Sequence, residues 1–97
     1  MARYDLYPAE RGYLLDVQND LLMGLNSRLV IPLLPINIAP SPQRRLNPSF
    51  EIEGAEYRLV TQYLSAIRQS QLGKPIGNLK SHQATISAAI DMIFLGL

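Results

Sequence analysis

The segment FEIEGAEYRLVT, residues 50–61, carries the clearest fold signal in the chain. Apolar residues alternate with charged residues on both sides of the two-residue turn Gly54-Ala55, which is the pattern of an antiparallel hairpin with one buried face. The segment therefore predicts two strands, residues 50–53 and 56–61. The glutamates fall on the polar face of this hairpin, so we expect them to be solvated and not to form a carboxylate pair for acid–base catalysis.

Short apolar runs extend the β pattern toward the N-terminus. Residues 4–7 and 13–17 predict a hairpin, because turn residues separate the two runs. Residues 29–34 are almost entirely apolar, which predicts a strand buried on both faces. Proline cannot donate a hydrogen bond to a β ladder, so we expect a bend or a sheet edge at Pro32 and Pro35.

The period of the pattern changes in the C-terminal segment. From Ser81, a good N-cap residue, apolar residues recur at helical spacing to the last residue of the sequence, which predicts a helix. One stripe of this helix is expected to pack on the chain's own sheet, and it consists of Ile86, Ala89, Ile90, Ile93 and Leu97.

The opposite side of the predicted helix is also apolar. Its residues are Ala84, Ala88, Met92 and Leu95. A monomeric surface helix should be polar there, so we expect a second subunit to cover this side and to form a homodimer. The alternative is that the helix frays and its exposed apolar residues are tolerated.

The composition is that of a folded protein. Residues of the AVILMFWYC set make up 47% of the 97 residues, enough for a packed core, and we expect one domain spanning residues 1–97. Nine Lys and Arg residues against eight Asp and Glu residues give a formal charge of +1, with no basic cluster larger than Arg44-Arg45. We therefore expect no direct binding of nucleic acid.

Groups able to support catalysis or metal binding are scarce. Cysteine is absent and His82 is the single histidine, so we expect no disulfide, no metal and no cofactor. Residues 73–77 lack the spacing of a phosphate-binding loop and are expected to form a turn. The longest apolar stretch, residues 29–39, is interrupted by prolines and shorter than the about 20 residues that span a bilayer. The N-terminus has no signal-peptide pattern, so we expect a cytoplasmic protein without membrane contact.

Two segments are not fully explained by this predicted fold. Residues 16–20 are rich in side chains that form turn hydrogen bonds, and the apolar pair Leu21-Leu22 follows directly. Residues 94–97 carry bulky apolar side chains to the end of the sequence, where chain ends are normally polar and frayed. Such a terminus is either covered by a second subunit or exposed for a partner.

Three motifs in these regions resemble the CcdB family, the toxins of plasmid and chromosomal toxin–antitoxin pairs that poison DNA gyrase. Residues 16–20, Asp-Val-Gln-Asn-Asp, resemble the family's Asp-Val-Gln-Ser-Asp. Residues 28–33, Arg-Leu-Val-Ile-Pro-Leu, resemble its Arg-Arg/Leu-Val-Ile-Pro-Leu. Residues 89–97, Ala-Ile-Asp-Met-Ile-Phe-Leu-Gly-Leu, resemble its Ala-Ile-Asn-Leu-Met-Phe-Trp-Gly-Ile.

The resemblance implies a mainly β fold with a C-terminal helix, an SH3-like β-barrel of the CcdB/MazF type, assembled as a homodimer with the helices at the two-fold axis. It implies a type II toxin that is not itself an enzyme. Such a toxin binds the gyrase A subunit, traps the gyrase–DNA cleavage complex and so inhibits topoisomerase activity. A CcdA-like antitoxin neutralises it.

The resemblance also implies site residues, carried over position by position. The gyrase contacts are Leu95, Gly96, Leu97, Asp91, Asn19 and Leu21. Leu95 stands where the family has Trp, and Asp91 where it has Asn. The expected antitoxin contacts are Arg11, Arg44 and Arg45, whose charges can pair with acidic side chains.

Two alternative functions remain open from the sequence. One is an endoribonuclease toxin of the same fold, for which Arg28 and Glu51 are the candidate residues. The other is a CcdB-like dimer with weakened potency or an altered target, because Leu95 replaces the family's tryptophan.

Overall fold

The computed structural model describes residues 2–96, in which seven strands form one sheet and the last element is an α-helix. The strands are β1 Asp5–Ala9, β2 Gly12–Asp16, β3 Ser27–Pro35, β4 Ser49–Ile52, β5 Ala55–Leu59, β6 Ser65–Arg68 and β7 Gly77–Asn78, and the helix is α1 Gln83–Leu95. Their order in the sheet is β4-β5-β3-β2-β1-β7, with β6 paired to β3, and the pairs are antiparallel. The predicted mainly β fold with a C-terminal helix is confirmed.

The predicted N-terminal hairpin is β1–β2, closed where Ala9 pairs with Gly12. Glycine is required at position 12 because a Cβ atom there would overlap the carbonyl oxygen of Leu33 in the neighbouring strand. Pro8 lies inside β1, opposite Tyr13. The second neighbour of β1 is β7, which pairs only with Asp5 and Leu6, so Pro8 does not interrupt that ladder.

The second predicted hairpin is β4–β5, but its turn lies one residue earlier than expected. Ile52 pairs with Ala55, so the turn residues are Glu53 and Gly54. Both have positive φ, 52° and 81°, as a type I′ turn requires. Glycine adopts this conformation without strain, whereas Ala55 would not, so the glycine takes the second turn position.

The apolar strand β3 lies in the middle of the sheet, so Pro32 does not lie at a sheet edge, which was one of the two alternatives predicted for it. β3 pairs with β6 as far as Val30 and with β5 from Leu33 onward. Pro32 falls between these two partners, where its carbonyl accepts a hydrogen bond of 2.9 Å from the Val60 N–H. Because β3 changes partner at Pro32, the missing N–H of this proline interrupts neither the pairing with β6 nor the pairing with β5. The prediction that this strand is buried on both faces was also wrong at Leu29, because its side chain is exposed.

The helix α1 covers one face of the sheet with the first part of its predicted stripe. Ile86 and Ala89 are fully buried in the main apolar core, and Ile90 packs against it. Ile93 was predicted to be buried but is 37% exposed, because the helix continues past the edge of the core. The last residue of the stripe, Leu97, lies outside the described residues.

The start of the helix differs from the prediction. A 3₁₀ turn, Lys80–His82, precedes α1, so Ser81 lies inside that turn and is not the N-cap. The turn begins where the Asn78 side chain accepts a hydrogen bond of 2.7 Å from the Lys80 N–H. Residues 73–77 were predicted as a turn, but Gly77 belongs to β7. Among residues 2–96, no helix has the length and apolar character needed to cross a membrane.

Candidate functional site

The polar segment after β2 forms a compact turn that its own side chains stabilise. Asn19 Oδ1 accepts a hydrogen bond of 2.9 Å from the Leu21 N–H, and Gln18 Nε2 donates one of 3.1 Å to the Leu22 carbonyl. These bonds hold the 3₁₀ turn Asp20–Leu22. The predicted contact Leu21 lies in this turn and is 91% exposed, so an apolar side chain is presented to solvent on a fixed backbone.

The N-terminal segment before β1 connects this turn to α1. The Arg3 N–H donates a hydrogen bond of 2.9 Å to Asp20 Oδ1 in the turn. The next residue, Tyr4, places its hydroxyl 3.4 Å from the hydroxyl of Ser87 in the helix. Asp91, a predicted gyrase contact, is exposed one turn further along α1. The turn and the helix are therefore held in a defined relation through two adjacent residues.

The last turn of α1 exposes apolar side chains. Phe94 is 68% exposed and Leu95 is 64% exposed, and the half-exposed Ile93 precedes them. Gly96 ends the helix in the left-handed conformation, with φ of 71°, and its N–H donates a hydrogen bond of 3.1 Å to the Met92 carbonyl. A Cβ atom at Gly96 would meet no described atom within 4 Å, so the position is open to a partner. We define residues 93–96 as the helix tip.

The 3₁₀ turn and the helix tip both present apolar side chains to solvent, which suits them to binding a partner. Their exposed side chains are mostly apolar, and a large exposed apolar area marks an interaction surface. Within residues 2–96 there is no cluster of His, Cys, Asp or Glu side chains that could hold a metal ion. Phe94 was not predicted as a contact, although the apolar C-terminal sequence already pointed to it. The predicted contact Leu97 lies outside the described residues.

The side of α1 predicted to meet a second subunit divides into two parts. Ala84 and Ala88, in the first half of the helix, are exposed and line a groove beside the loop of residues 42–48. Met92 is half-buried and Leu95 is exposed at the tip. The outer side of α1 is therefore not covered by the described chain, and the groove occupies only its first half.

The arginines predicted to contact an antitoxin also divide into two places. Arg44 and Arg45 line the groove together with Ala84 and Ala88. Arg11 lies at the end of the β1–β2 hairpin and lines a different hollow, beside Tyr57. The structure therefore brings two of the three arginines together, on a surface that they share with the predicted dimer residues.

The loop that carries these arginines is anchored by two buried polar residues that the sequence analysis did not identify. Asn47 Nδ2 donates hydrogen bonds of 3.0 Å to the Leu59 carbonyl and 2.8 Å to Gln62 Oε1. Thr61 is fully buried and donates its hydroxyl hydrogen to the Leu46 carbonyl. The burial of Asn47 depends on its hydrogen bond to β5, so no local pattern could reveal it.

The residues considered for ribonuclease chemistry do not form a site. Arg28 is 1% exposed, and its guanidinium is paired with the fully buried Asp16, at 2.8 Å from Nε and 2.7 Å from Nη2 to Oδ2. Burial raises the pKa of Asp16 more than its hydrogen bonds from Arg28 and the Gln18 N–H lower it. Arg28 therefore cannot reach a substrate, whereas Glu51 lies exposed on a different strand, β4. This pair of candidates was wrong.

Comparison with known proteins agrees with the fold and specifies the family. The fold is similar to that of a solved structure described as an endoribonuclease in complex with its cognate antitoxin from a mycobacterial species. The TM-score is 0.76 and the sequence identity 14%, with 100% of this chain and 96% of that chain covered. At this identity the similarity concerns the fold. The model of the CcdB protein family matches residues 3–96, and the chain therefore belongs to the CcdB family of toxins.

Proposed function

We propose that this protein binds the A subunit of DNA gyrase and traps the complex of gyrase with cleaved DNA. The observation that carries this proposal is the helix tip, whose Phe94 and Leu95 are exposed although they are large and apolar. Membership of the CcdB family supports the same function. The toxin acts as a wedge, because its tip contributes shape and apolar contact to the gyrase complex and takes no part in bond making.

Each proposed contact in the helix tip or next to it in sequence has a physical role. Leu95 and Leu97 supply apolar area, and Gly96 lets the target approach the backbone closely because it has no Cβ atom. Asp91 adds a charge beside this area. Phe94 belongs to the same surface, since it is the most exposed of the large apolar residues in α1.

The turn after β2 forms the second part of the proposed gyrase surface. Leu21 provides the apolar contact, and Asn19 holds it through the hydrogen bond to the Leu21 N–H. A side chain on a fixed backbone loses less conformational entropy on binding than one on a mobile loop. Preorganisation of this kind suits a protein that must act as a rigid wedge.

We propose a homodimer as the active form, with the outer side of α1 at the interface. Of the predicted dimer contacts, Met92 directly precedes the tip and Leu95 lies in it, so a dimer formed there presents two tips to the two-fold gyrase A assembly. Ala84 and Ala88, which stand in the same predicted set, line the groove, and their role as dimer contacts stays a prediction.

A gyrase assay tests the proposal. The purified protein is mixed with gyrase, DNA and ATP, and linear DNA is measured after detergent and protease treatment. We expect linear DNA to accumulate with the full chain and to be lost when Gly96 and Leu97 are removed, while the dimer persists in sedimentation analysis. Trapping by the truncated chain would contradict the assignment of the tip.

Point substitutions provide a matched pair for the same assay. Leu21→Ser removes an exposed apolar side chain from the proposed surface and should weaken trapping. Ile36→Ser removes one from the turn at the opposite end of β3, so its trapping should equal that of the unmodified chain. Equal loss in both variants would show that the effect comes from general surface apolarity and not from this site.

The ribonuclease function is the second candidate, and the endoribonuclease with the similar fold is the observation that favours it. The same preparation is incubated with RNA in the absence of gyrase. Cleavage of RNA without trapping of gyrase would replace the proposed function by this one. A dimer silent in both assays would indicate a CcdB-like protein with weakened potency or another target.

We further propose that an antitoxin of the CcdA type neutralises this toxin. The structure with the similar fold was solved with its cognate antitoxin, which supports a protein partner of this kind. Arg11, Arg44 and Arg45 are exposed and remain the proposed contacts for its acidic side chains.

A further inference from the structure

An open hollow lies between residues 23–26, which directly follow the 3₁₀ turn, and residues 68–70. Its volume of about 720 Å³ lies within the range of typical binding sites. The side chains that line it are exposed, and most of them are polar, unlike those of the turn and the helix tip. We name it the Arg68 hollow, after the one charged side chain in the lining that the structure describes.

The Arg68 hollow is a continuation of the turn that carries Leu21. The Leu25 N–H donates a hydrogen bond of 3.1 Å to the Leu22 carbonyl, which ties the first wall of the hollow to the turn. The Gln69 N–H donates one of 2.8 Å to the Asn26 carbonyl, which joins the two walls. The turn and the hollow therefore form one hydrogen-bonded unit, and a partner bound at Leu21 lies beside the hollow.

The lining of the hollow consists of hydrogen-bond donors without a negative charge among the described residues. Arg68 contributes a guanidinium group, and within residues 2–96 no Asp or Glu side chain forms an ion pair with it. The neutral donors are the side chains of Asn26, Gln69 and Ser70. An unpaired guanidinium surrounded by neutral donors has the chemistry that binds a carboxylate or a phosphate group.

The surroundings of the guanidinium favour a protein carboxylate over a phosphate group of DNA. Met23 is 59% exposed and Leu25 is 49% exposed, so large apolar side chains lie beside the charge. Proteins that bind the DNA backbone use several cations together, whereas the described lining of the hollow has a single one. Arginine and methionine are both enriched at protein–protein interfaces. The composition therefore fits an acidic protein surface.

A positive charge at this place has a role that the apolar contacts cannot provide. Apolar burial is non-directional, so the turn and the tip supply affinity without fixing the orientation of the partner. Arg68 adds a positive charge to a proposed surface on which Asp91 provides a negative one. Charges at the rim of an interface fix its register and accelerate association more than they increase affinity.

We propose that the Arg68 hollow binds an acidic side chain of the gyrase A subunit and so orients the toxin on its target. This inference rests on the proposed function, which makes the A subunit the target. It adds Arg68 to the proposed contacts in the turn and the tip, with Met23 and Leu25 beside it. Leu21 supplies apolar contact, whereas Arg68 selects a target surface that carries a carboxylate.

Surface plasmon resonance with immobilised gyrase A subunit, in the absence of DNA, tests the proposal. Arg68→Ser should lower the association rate constant about 2- to 5-fold in about 0.05 M salt, the effect of one exposed charge pair, with a smaller change in the dissociation rate. In about 0.3 M salt the rates of the variant and the unmodified chain should converge, because salt screens the attraction. Arg68→Lys keeps the charge and should retain most of the rate.

Lys74→Ser is the matched control, because it removes the same charge from an exposed residue outside the hollow. Its association rate should equal that of the unmodified chain. Arg68 is exposed as well, so the thermal unfolding of Arg68→Ser should be unchanged. Arg68→Glu brings like charges together and should slow association more than the serine variant does.

Three results would assign the hollow or the effect elsewhere and so overturn the proposal. Equal slowing by Arg68→Ser and Lys74→Ser would show that net charge alone is responsible. Unchanged binding to the A subunit, combined with weaker trapping when DNA is present, would assign the hollow to a phosphate group of DNA. An Arg68→Glu variant that sediments as a monomer, where the unmodified chain sediments as a dimer, would assign the hollow to a second copy.

The gyrase function and the Arg68 contact fail in distinguishable ways. An unmodified chain that does not bind the A subunit overturns the gyrase function, and this inference with it. Binding by the unmodified chain at a rate that every Arg68 variant shares overturns only the contact in the hollow, and the gyrase function then stands without it.

Discussion

Two regions of the molecule depart from the usual distribution of polar and apolar side chains, and they do so in opposite ways. In β2 and β3 a carboxylate and a guanidinium, Asp16 and Arg28, are completely buried. In the last turn of α1 the large apolar residues Phe94 and Leu95 are exposed. Burying a charge and exposing an aromatic ring both have a cost in free energy, so each region needs a compensating interaction.

The difference lies in where the compensation is found. Arg28 pairs with Asp16 at 2.7 Å, and the Gln18 N–H donates a hydrogen bond of 3.0 Å to the other carboxylate oxygen. The two buried charges therefore neutralise each other inside the chain, which makes the pair part of the folded structure. The exposed side chains of the tip have no such compensation within the described residues, which is typical of a surface that binds a partner.

The largest expected effect follows from removing one member of the buried pair. Arg28→Met leaves the Asp16 carboxylate buried without its counter-ion and should lower the free energy of unfolding by about 3–5 kcal/mol. Urea denaturation measures this change. The double variant Asp16→Leu with Arg28→Met removes both charges and should recover most of the loss, because apolar residues of similar size can replace a buried pair.

A small effect of the single substitution, within the about 0.5 kcal/mol typical of surface positions, would contradict this account of the buried pair. Failure of the double variant to recover stability would show that the two side chains contribute through their shape, and not through the charges that they neutralise.

The pH dependence of stability gives a second, smaller test of the buried region. Because burial raises the pKa of Asp16 above its ordinary value of 3.8, the folded state binds this proton more tightly than the unfolded state. The contribution of Asp16 to stability is therefore greatest below pH 3.8 and declines as pH rises through the raised pKa.

Two measurements check the direction of this pH dependence. The first is the difference in the free energy of unfolding between the unmodified chain and Asp16→Asn. This difference should fall as pH rises from 3.8 through the raised pKa of Asp16, and the subtraction cancels the contributions of the other carboxyl groups. NMR titration of the Asp16 carboxyl in the unmodified chain gives the pKa directly. A difference that grows with pH would mean that Arg28 outweighs burial and lowers the pKa.

The parts of the fold that could be predicted from the sequence are those set by local pattern. The β1–β2 and β4–β5 hairpins follow from alternation and turn residues close together in the chain. The two-residue strand β7 could not be predicted, because it exists through its pairing with Asp5 and Leu6 more than seventy residues away. The central position of Pro32 has the same cause, since it depends on two strands that exchange partners around it.

The candidate site shows the same limit. Apolar residues at the end of α1 and the polar turn before Leu21 were visible in the sequence, because helical spacing of apolar residues and a cluster of turn-forming side chains are local patterns. The groove was not visible, since residues 42–48 meet Ala84 and Ala88 only through the tertiary fold. The burial of Arg28 was missed for a related reason: its partner Asp16 lies on another strand, and composition cannot distinguish a paired core arginine from a free one.

The smallest effect is expected at the tip, and it concerns binding alone. Leu95→Trp should strengthen gyrase trapping, because tryptophan adds aromatic contact worth about 0.5–2 kcal/mol beyond its area and so lowers the effective toxin concentration about 2- to 30-fold. Leu95 is exposed in the single chain, so the free energy of unfolding should change by less than about 0.5 kcal/mol, and because Leu95 is also a proposed dimer contact, sedimentation analysis checks that the variant remains dimeric. Ile36→Trp, an equivalent addition at the opposite end of β3, is the control and should leave trapping unchanged. An unchanged dose response for Leu95→Trp would show that this position is not a gyrase contact. A large loss of stability would show that the tip is covered by its own chain. The tip would then no longer differ from the buried pair in where its compensating interaction lies.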